Sequence, residues 1–72
     1  MDIGHRIGAL RKAAGLTQDQ VVAKMQLLGV EISKSTYAKI ETNRMNIKVS
    51  QLAALKTIFK VDYNAFFDAL GR

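Results

Sequence analysis

Helix start and stop signals divide this chain into short segments, and they constrain its fold more than any other feature. Thr17 and Ser33 are residue types typical of helix N-caps. Gly15 and Gly29 stand where helices are expected to end, and Asn43 suits a left-handed residue at a third helix end. The 72 residues contain no proline and are rich in Ala, Leu, Lys and Gln, which favour helix. The chain is therefore expected to be all-α.

Apolar residues recur at helical spacing inside these segments and predict which faces are buried. Helices are predicted over residues 2–14, from Thr17 to Gly29, over 33–42 and over 49–59, with a last short helix after Asp62. The predicted buried stripes are Ile3, Ile7, Leu10 and Ala14; Val21, Val22, Met25 and Leu28; and Val49, Leu52 and Leu55, with Ile58 and Phe59. This length and pattern predict one small domain over residues 1–72.

The helix over residues 33–42 has two unlike sides. Tyr37 and Ile40 point one way, while two cations, a hydroxyl and a small apolar residue fall within about 140° of each other on another side. These four are Lys34, Ser35, Ala38 and Lys39. A helix with apolar anchors and a short polar edge suits insertion into a DNA major groove. An ordinary solvated helix face explains the pattern equally well, so this helix alone leaves both interpretations open.

The positive charge of the chain is concentrated near that helix. The formal net charge is +5, and between Lys34 and Lys48 four cations stand against one acid, Glu41. The other two cations of this stretch are Lys39 and Arg44. More than half of the net charge therefore lies in about a fifth of the chain, which favours a nucleic-acid surface.

Other classes of function find little support in the composition. The chain has no cysteine and one histidine, so no metal site or cofactor is expected. Its carboxylates are dispersed and it has no glycine-rich phosphate loop, so an enzyme is not expected. No apolar run approaches the roughly 20 residues of a membrane span, and the N-terminus does not resemble a signal peptide. The expected location is the cytoplasm.

Three motifs in order resemble one known family. Residues 7–20, IGALRKAAGLTQDQ, look like the opening of the lambda repressor/Cro-like (XRE) helix-turn-helix family. Residues 33–41, SKSTYAKIE, resemble its recognition helix, and residues 60–67, KVDYNAFF, are similar to its closing segment. The resemblance covers residues 3–67. It implies a five-helix bundle that binds double-stranded DNA, usually as a two-fold homodimer on an operator with inverted repeats.

The resemblance also assigns roles to individual residues. Lys34, Ser35 and Lys39 would face the bases, with Ala38 placed to pack on a thymine methyl group. The residues assigned to the DNA backbone are Thr17, Gln18, Thr36, Asn43, Arg44 and Lys48. Arg11 and Glu41 match a largely buried salt bridge between the first and third helices. The aromatic last helix offers Tyr63, Phe66, Phe67 and Leu70 as candidates for contact with a second copy of the chain.

The sequence departs from the family pattern in four places. The connection between the second and third helices, residues 26–32, is longer than the usual compact turn. Val22 stands where alanine is usual, Lys60 replaces a glycine after the fourth helix, and Lys48 replaces a Ser or Thr cap. The predicted fold is thus a lambda repressor-like five-helix bundle with a lengthened connection between helices 2 and 3.

The leading hypothesis is a sequence-specific transcriptional regulator, most simply a repressor, that reads the major groove with the helix over residues 33–42. Two alternatives use the aromatic last helix. One is a DNA-binding antitoxin, which would use both surfaces, and the other is a helical protein-interaction module that binds no DNA.

Overall fold

The computed structural model describes residues 3–67, which form five helices and contain no strand. In chain order they are α1 (Ile3–Ala13), α2 (Gln18–Leu27), α3 (Lys34–Glu41), α4 (Val49–Phe59) and α5 (Asn64–Phe67). The predicted all-α five-helix fold is confirmed. Within this range, none of the helices has the length and apolar character required to cross a membrane.

Side-chain caps explain where two of these helices begin. The Thr17 hydroxyl accepts from the backbone N–H of Gln20 at 3.1 Å, and Gln20 Oε1 accepts in return from the Thr17 N–H at 2.8 Å. This is the reciprocal capping box that satisfies two otherwise unpaired N–H groups. Ser33 Oγ caps α3 in the same way, accepting from the backbone N–H of Thr36 at 3.1 Å.

The start of α4 is made differently, because Lys48 is its N-cap residue and an ammonium group has no acceptor. Gln51 Oε1 instead accepts from the Lys48 N–H at 2.8 Å, and the Gln51 side chain is buried. The end of α4 also lacks the usual residue. Lys60 itself adopts the left-handed conformation with φ 57°, and the N–H of the next residue, Val61, donates to Lys56 O. A lysine can therefore occupy the position that the family gives to glycine, at a local backbone cost of about 1–2 kcal/mol.

The core is formed by apolar side chains from all five helices and from the connection before α3. Its fully or nearly buried members are Ile7, Val21, Val22, Met25, Ile32, Tyr37, Ile40, Ala54, Leu55, Phe59 and Phe66. Three residues of the predicted stripes lie outside it, and one of them is Ala14, which is exposed just after the end of α1. Leu28 is half exposed because α2 ends at Leu27 and the chain turns at Gly29, and Val49 is exposed because the core closes over the later turns of α4.

The lengthened connection between α2 and α3 is held in place by apolar contacts with the core and by a hydrogen bond from α2. Ile32 is buried and Val30 is partly buried against the core, while Glu31 between them is exposed. Gln26 Nε2, near the end of α2, donates to Ile32 O at 3.2 Å. The extra residues thus form a fixed extended segment rather than a free loop.

The last helix corrects one of the sequence predictions. Phe66 was assigned to a surface shared with a second copy, but its side chain has no exposed area and its ring lies 6.4 Å from that of Phe59 in the same core. It is buried because α5 packs back onto α1, where Arg6 Nε donates to Ala65 O at 2.6 Å. Tyr63 and Phe67 remain partly exposed, at 44% and 37%, and Leu70 lies outside the described residues.

Candidate nucleic-acid interface

The outward face of α3 carries a shallow basic depression. Tyr37 and Ile40 are buried and fix this helix in the core from its inner side. On the outer side the chain forms a depression of about 340 Å³, lined by Ser35, Ala38, Lys39, Thr42 and Arg44. Three of the four predicted base-facing residues therefore lie together, and the loop residue Arg44 lies beside them.

Thr42 was not predicted to belong to this face. Its hydroxyl donates to the backbone oxygens of Ala38 at 3.1 Å and Lys39 at 3.2 Å, which closes the last turn of α3. The spacing would have revealed it, because Thr42 follows Ala38 by four residues and Ser35 by seven.

The positive groups at the two ends of α3 are in different states. Lys34 Nζ, at the first residue of the helix, lies 3.3 Å from both carboxylate oxygens of Asp19 in the first turn of α2. Lys39 and Arg44 are exposed, and neither forms an ion pair within residues 3–67. The free positive charge of this face therefore comes from Lys39 and Arg44.

Two of the predicted backbone-contacting residues line a second, larger groove instead of this depression. This larger groove has a volume of about 940 Å³ and its lining includes Ser33, Thr36, Met45 and Lys48. The Thr36 hydroxyl accepts from Ser33 Oγ at 3.0 Å, so this side chain already has one partner. Thr36 and Lys48 thus line a different groove from Lys39 and Arg44.

The inner side of α3 is held by an unusually close approach of α1. A Cβ on Gly4 would lie 2.7 Å from Asn43 Oδ1 and 2.9 Å from Glu41 O, and it would also meet Ile40 O. A Cβ on Gly8 would lie 3.3 Å from Glu41 Oε1. Two glycines, four residues apart, therefore allow the helix backbone of α1 to pack against the end of α3.

Asn43 links the same two helices. It has the left-handed φ of 61° expected from the sequence, and its Oδ1 accepts from the Gly4 N–H at 3.0 Å. Its side-chain oxygen thus satisfies one of the unpaired N–H groups at the start of α1. Asn43 was assigned to the DNA backbone, and the structure gives its side chain this internal role.

A buried charge network joins α1, α2 and α3. Arg11 Nε lies 2.7 Å from Glu41 Oε2, and Arg11 Nη2 donates to Glu41 Oε1 at 3.2 Å. The remaining Arg11 nitrogen, Nη1, donates to Leu16 O at 2.9 Å. The exposed fractions of the two side chains are only 13% and 9%. The resemblance assigned this pair to the frame of the domain, and these contacts place it between α1 and α3.

Gln18 is the third member of this network. Its Nε2 donates to Glu41 Oε1 at 3.0 Å, although the sequence assigned it to a DNA phosphate. Burial alone would raise the pKa of Glu41, but Arg11, the neighbouring Tyr37 hydroxyl and Gln18 act the other way and hold that pKa below its usual value. The amide of Gln18 has a second N–H, so the contact with Glu41 leaves one donor for another partner.

The Tyr37 hydroxyl lies close to the Glu41 carboxylate of this network. The side chain is fully buried, and its Oη has no hydrogen-bond partner among the described residues. Burial and the neighbouring Glu41 carboxylate raise the pKa of Tyr37 far above its usual value, so the phenol stays protonated.

Thr17, the last predicted backbone-contacting residue, is exposed at the start of α2, where its hydroxyl caps the helix. In the part of the chain that the structure describes, no group of three His, Cys, Asp or Glu side chains is arranged to hold a metal ion. The outer face of α3 therefore combines positive charge, hydrogen-bonding groups and a shallow depression.

Comparison with known proteins agrees with this geometry. A family model described as a helix-turn-helix domain matches residues 2–65, which is most of the chain. No curated protein and no solved structure matches the chain. Domains of this kind are associated with DNA binding and regulation in general. The chain belongs to the helix-turn-helix domain family, which is related to the XRE-type helix-turn-helix domains.

Proposed function

We propose that this protein is a sequence-specific double-stranded DNA-binding transcriptional repressor that inserts α3 into the major groove. The observation that carries the proposal is the depression on the outer face of α3. It places Lys39 and Arg44, two cations without an ion pair among the described residues, beside Ser35 and Ala38. A helix edge that combines cations, a hydroxyl and a methyl group matches the donor, acceptor and methyl pattern of base edges.

Each side chain of this edge has a distinct chemical role in the proposal. Lys39 donates to guanine O6 or N7, Ser35 donates to or accepts from a base edge, and Ala38 packs on a thymine methyl group. Arg44, beyond the end of the helix, binds a phosphate and thereby fixes the register of the protein on the duplex.

Further backbone contacts in the proposal come from the helix starts. Thr17 and Gln18 lie at the start of α2, where unpaired N–H groups favour a phosphate oxygen. Thr36 and Lys48 border the larger groove and reach a neighbouring phosphate from there. The side-chain oxygen of Asn43 already accepts from the Gly4 N–H, so in the proposal its left-handed backbone turns the chain at the end of α3, just before Arg44.

The proposed assembly is a homodimer on an inverted repeat. The partly exposed rings of Tyr63 and Phe67 offer apolar surface for a second copy, and Leu70 is the further candidate of this segment. Two copies related by a two-fold axis would place their α3 helices in successive major grooves about 34 Å apart. Occupation of these grooves would exclude other proteins from the same DNA, which is the simplest way to repress transcription.

Selection from a random duplex library tests this proposal most directly. We expect the recovered sites to share a palindromic motif, and a fluorescence-anisotropy titration to show tighter binding to that motif than to a scrambled duplex of the same composition. Binding to both should weaken steeply with salt, because phosphate contacts release counterions. Absence of binding to either duplex at about 50 mM salt, where such contacts are strong, would overturn the proposal.

A reporter assay then tests repression separately. A promoter overlapped by the selected motif should lose activity when the protein is present, and the same promoter with a scrambled motif should not. Increased activity from the first promoter would contradict the repressor role and leave the DNA-binding role intact.

A further inference from the structure

We propose that Asp19 is a specificity-determining residue of the DNA interface, and that it acts by holding Lys34. This inference rests on the proposed DNA-binding function. Lys34 Nζ lies 3.3 Å from each carboxylate oxygen of Asp19, so the ammonium group is shared between both oxygens. The contact spans the helix-turn-helix unit, from the first turn of α2 to the first residue of α3.

The position of the pair makes it relevant to DNA. Lys34 is adjacent in sequence to Ser35, which lines the depression on the outer face of α3. Both members of the pair are well exposed, at 59% for Lys34 and 71% for Asp19, so the contact is open to competition from a ligand. A phosphate that approaches Lys34 must displace a carboxylate that already occupies it, and it meets the negative charge of that carboxylate.

This competition affects random and selected DNA unequally. Affinity for random DNA comes almost entirely from phosphates neutralised by lysine and arginine. Neutralisation of Lys34 by Asp19 removes one cation from that set, while a selected site keeps the base contacts of Lys39 and Ser35. Asp19 therefore weakens the complex with random DNA more than the complex with a selected site. This raises specificity without adding an attractive contact.

The pair also limits the directions in which Lys34 can donate. An ammonium group has three N–H donors on a flexible four-carbon chain. While its nitrogen is shared between the two oxygens of Asp19, Lys34 has one N–H donor left for DNA. Lysine held in this way contacts one base edge in register, whereas a free lysine reaches whichever phosphate is nearest.

The test compares Asp19→Asn with the wild-type protein on a library-selected duplex and on a scrambled duplex of equal length. We expect the variant to bind the scrambled duplex roughly two- to fivefold more tightly, the range for the loss of one exposed ion pair. The salt slope on the scrambled duplex should steepen by about one, because Lys34 then neutralises a phosphate. The ratio of selected to scrambled affinity should fall.

Three variants show whether Asp19 acts through Lys34. Measured in the Lys34→Ala background, Asp19→Asn should change binding no more than Asp62→Asn does in the wild-type protein. Asp62 is the matched control, since it is an exposed acid away from both grooves and without an ion pair among residues 3–67. Asp19→Glu keeps the charge and should retain the wild-type ratio, and circular dichroism should confirm that each variant is folded.

Two results would overturn the inference. One is an equal change of affinity for both duplexes with an unchanged salt slope, and the other is the same effect of Asp19→Asn in the Lys34→Ala background. If the wild-type protein binds neither duplex, the proposed function fails as well. If the wild-type protein binds DNA and Asp19→Asn does not change the ratio of the two affinities, only this inference is rejected.

Discussion

The two sides of α3 differ in how closely they are packed and in whether their charges are paired. The inner side is dense, since α1 approaches closely enough that a Cβ on Gly4 would overlap three atoms, and Arg11, Glu41 and Gln18 satisfy one another in a nearly closed network. The outer side is open, and Lys39 and Arg44 lie there exposed, with no ion pair within residues 3–67. One side fixes where the helix lies, and the other leaves its charges available.

This contrast shows how a chain of 72 residues can hold one helix rigidly on its inner side and leave its outer side open. A chain of this size has a small core, so apolar burial alone gives modest stability. The domain adds a charged junction between helices, where hydrogen bonds have direction and fix the orientation of α3 better than apolar contacts do. The comparison predicts that substitutions on the inner side change stability, while those on the outer side change only DNA recognition.

The largest expected effect is that of Glu41→Ala. Removal of this carboxylate leaves Arg11 as an unpaired charge with 13% of its side chain exposed, and it also removes the partner of Gln18. Loss of one member of a buried pair costs about 3–5 kcal/mol. We expect urea denaturation to show a fall of that size in the free energy of unfolding.

The control for this prediction is Glu31→Ala, which removes an exposed acid from the connection before α3. It should change the free energy of unfolding by less than about 0.5 kcal/mol. Similar small losses for both variants would show that the Arg11–Glu41 pair does not hold α3 in place.

The next effect in size is that of Gly4→Ala. The added Cβ would meet Ile40 O and lie 2.9 Å from Glu41 O, and these backbone atoms cannot rotate away. Overpacking against backbone atoms that cannot move should cost about 3 kcal/mol, the upper end of the usual range, and the better helix propensity of alanine returns about 1 kcal/mol. We expect a net loss of about 2 kcal/mol in a thermal or urea unfolding experiment.

Gly8→Ala is the matched control, because its Cβ would lie 3.3 Å from the side-chain atom Glu41 Oε1 rather than against backbone. It should destabilise the protein less than Gly4→Ala does. A larger loss for Gly8→Ala than for Gly4→Ala would contradict this prediction. It would mean that the tightest contact between α1 and α3 lies at Gly8, beside the Arg11–Glu41 pair, and not in the first turn of α1.

The outer side is tested by Lys39→Ala and Arg44→Ala, which should leave the free energy of unfolding nearly unchanged. Lys39→Ala should reduce discrimination at one base pair by about 1–2 kcal/mol, since a lysine contact falls in the lower part of the range for base-reading pairs. Arg44→Ala should weaken binding to all sequences and flatten the salt slope by about one. Anisotropy titrations on selected and scrambled duplexes separate the two patterns.

Equal losses on both duplexes for Lys39→Ala would contradict its base-reading role. A large loss of stability in either variant would contradict the division between the two sides of α3.

The sequence predicted the helices and their starts well, because these depend on local signals. The capping box of Thr17 and Gln20, the Ser33 cap and the left-handed Asn43 all appear where the residue types indicated. The buried stripe failed at Leu28, where periodicity continued beyond the end of the helix.

What the sequence could not predict depends on contacts between distant segments. Gln18 looked like a phosphate ligand because its position in α2 suggests one, but its partner Glu41 is 23 residues away. Phe66 was predicted to be an interface residue because a short terminal helix carries several aromatic rings. It is buried in the core because α5 folds back on α1. The Asp19–Lys34 pair likewise follows only from the placement of two helix starts side by side.

The smallest expected effect concerns the one poorly satisfied group on the inner side, the Tyr37 hydroxyl. This buried oxygen has no hydrogen-bond partner among the described residues, and an unsatisfied buried polar group costs about 1–3 kcal/mol. Tyr37→Phe removes the hydroxyl and keeps the ring, so we expect the free energy of unfolding to rise by roughly 1 kcal/mol, at the lower end of that range. Tyr63→Phe, at a partly exposed tyrosine, is the control and should have almost no effect. A loss of stability in Tyr37→Phe would mean that the hydroxyl donates to Glu41 in solution and that the charge network has a fourth member.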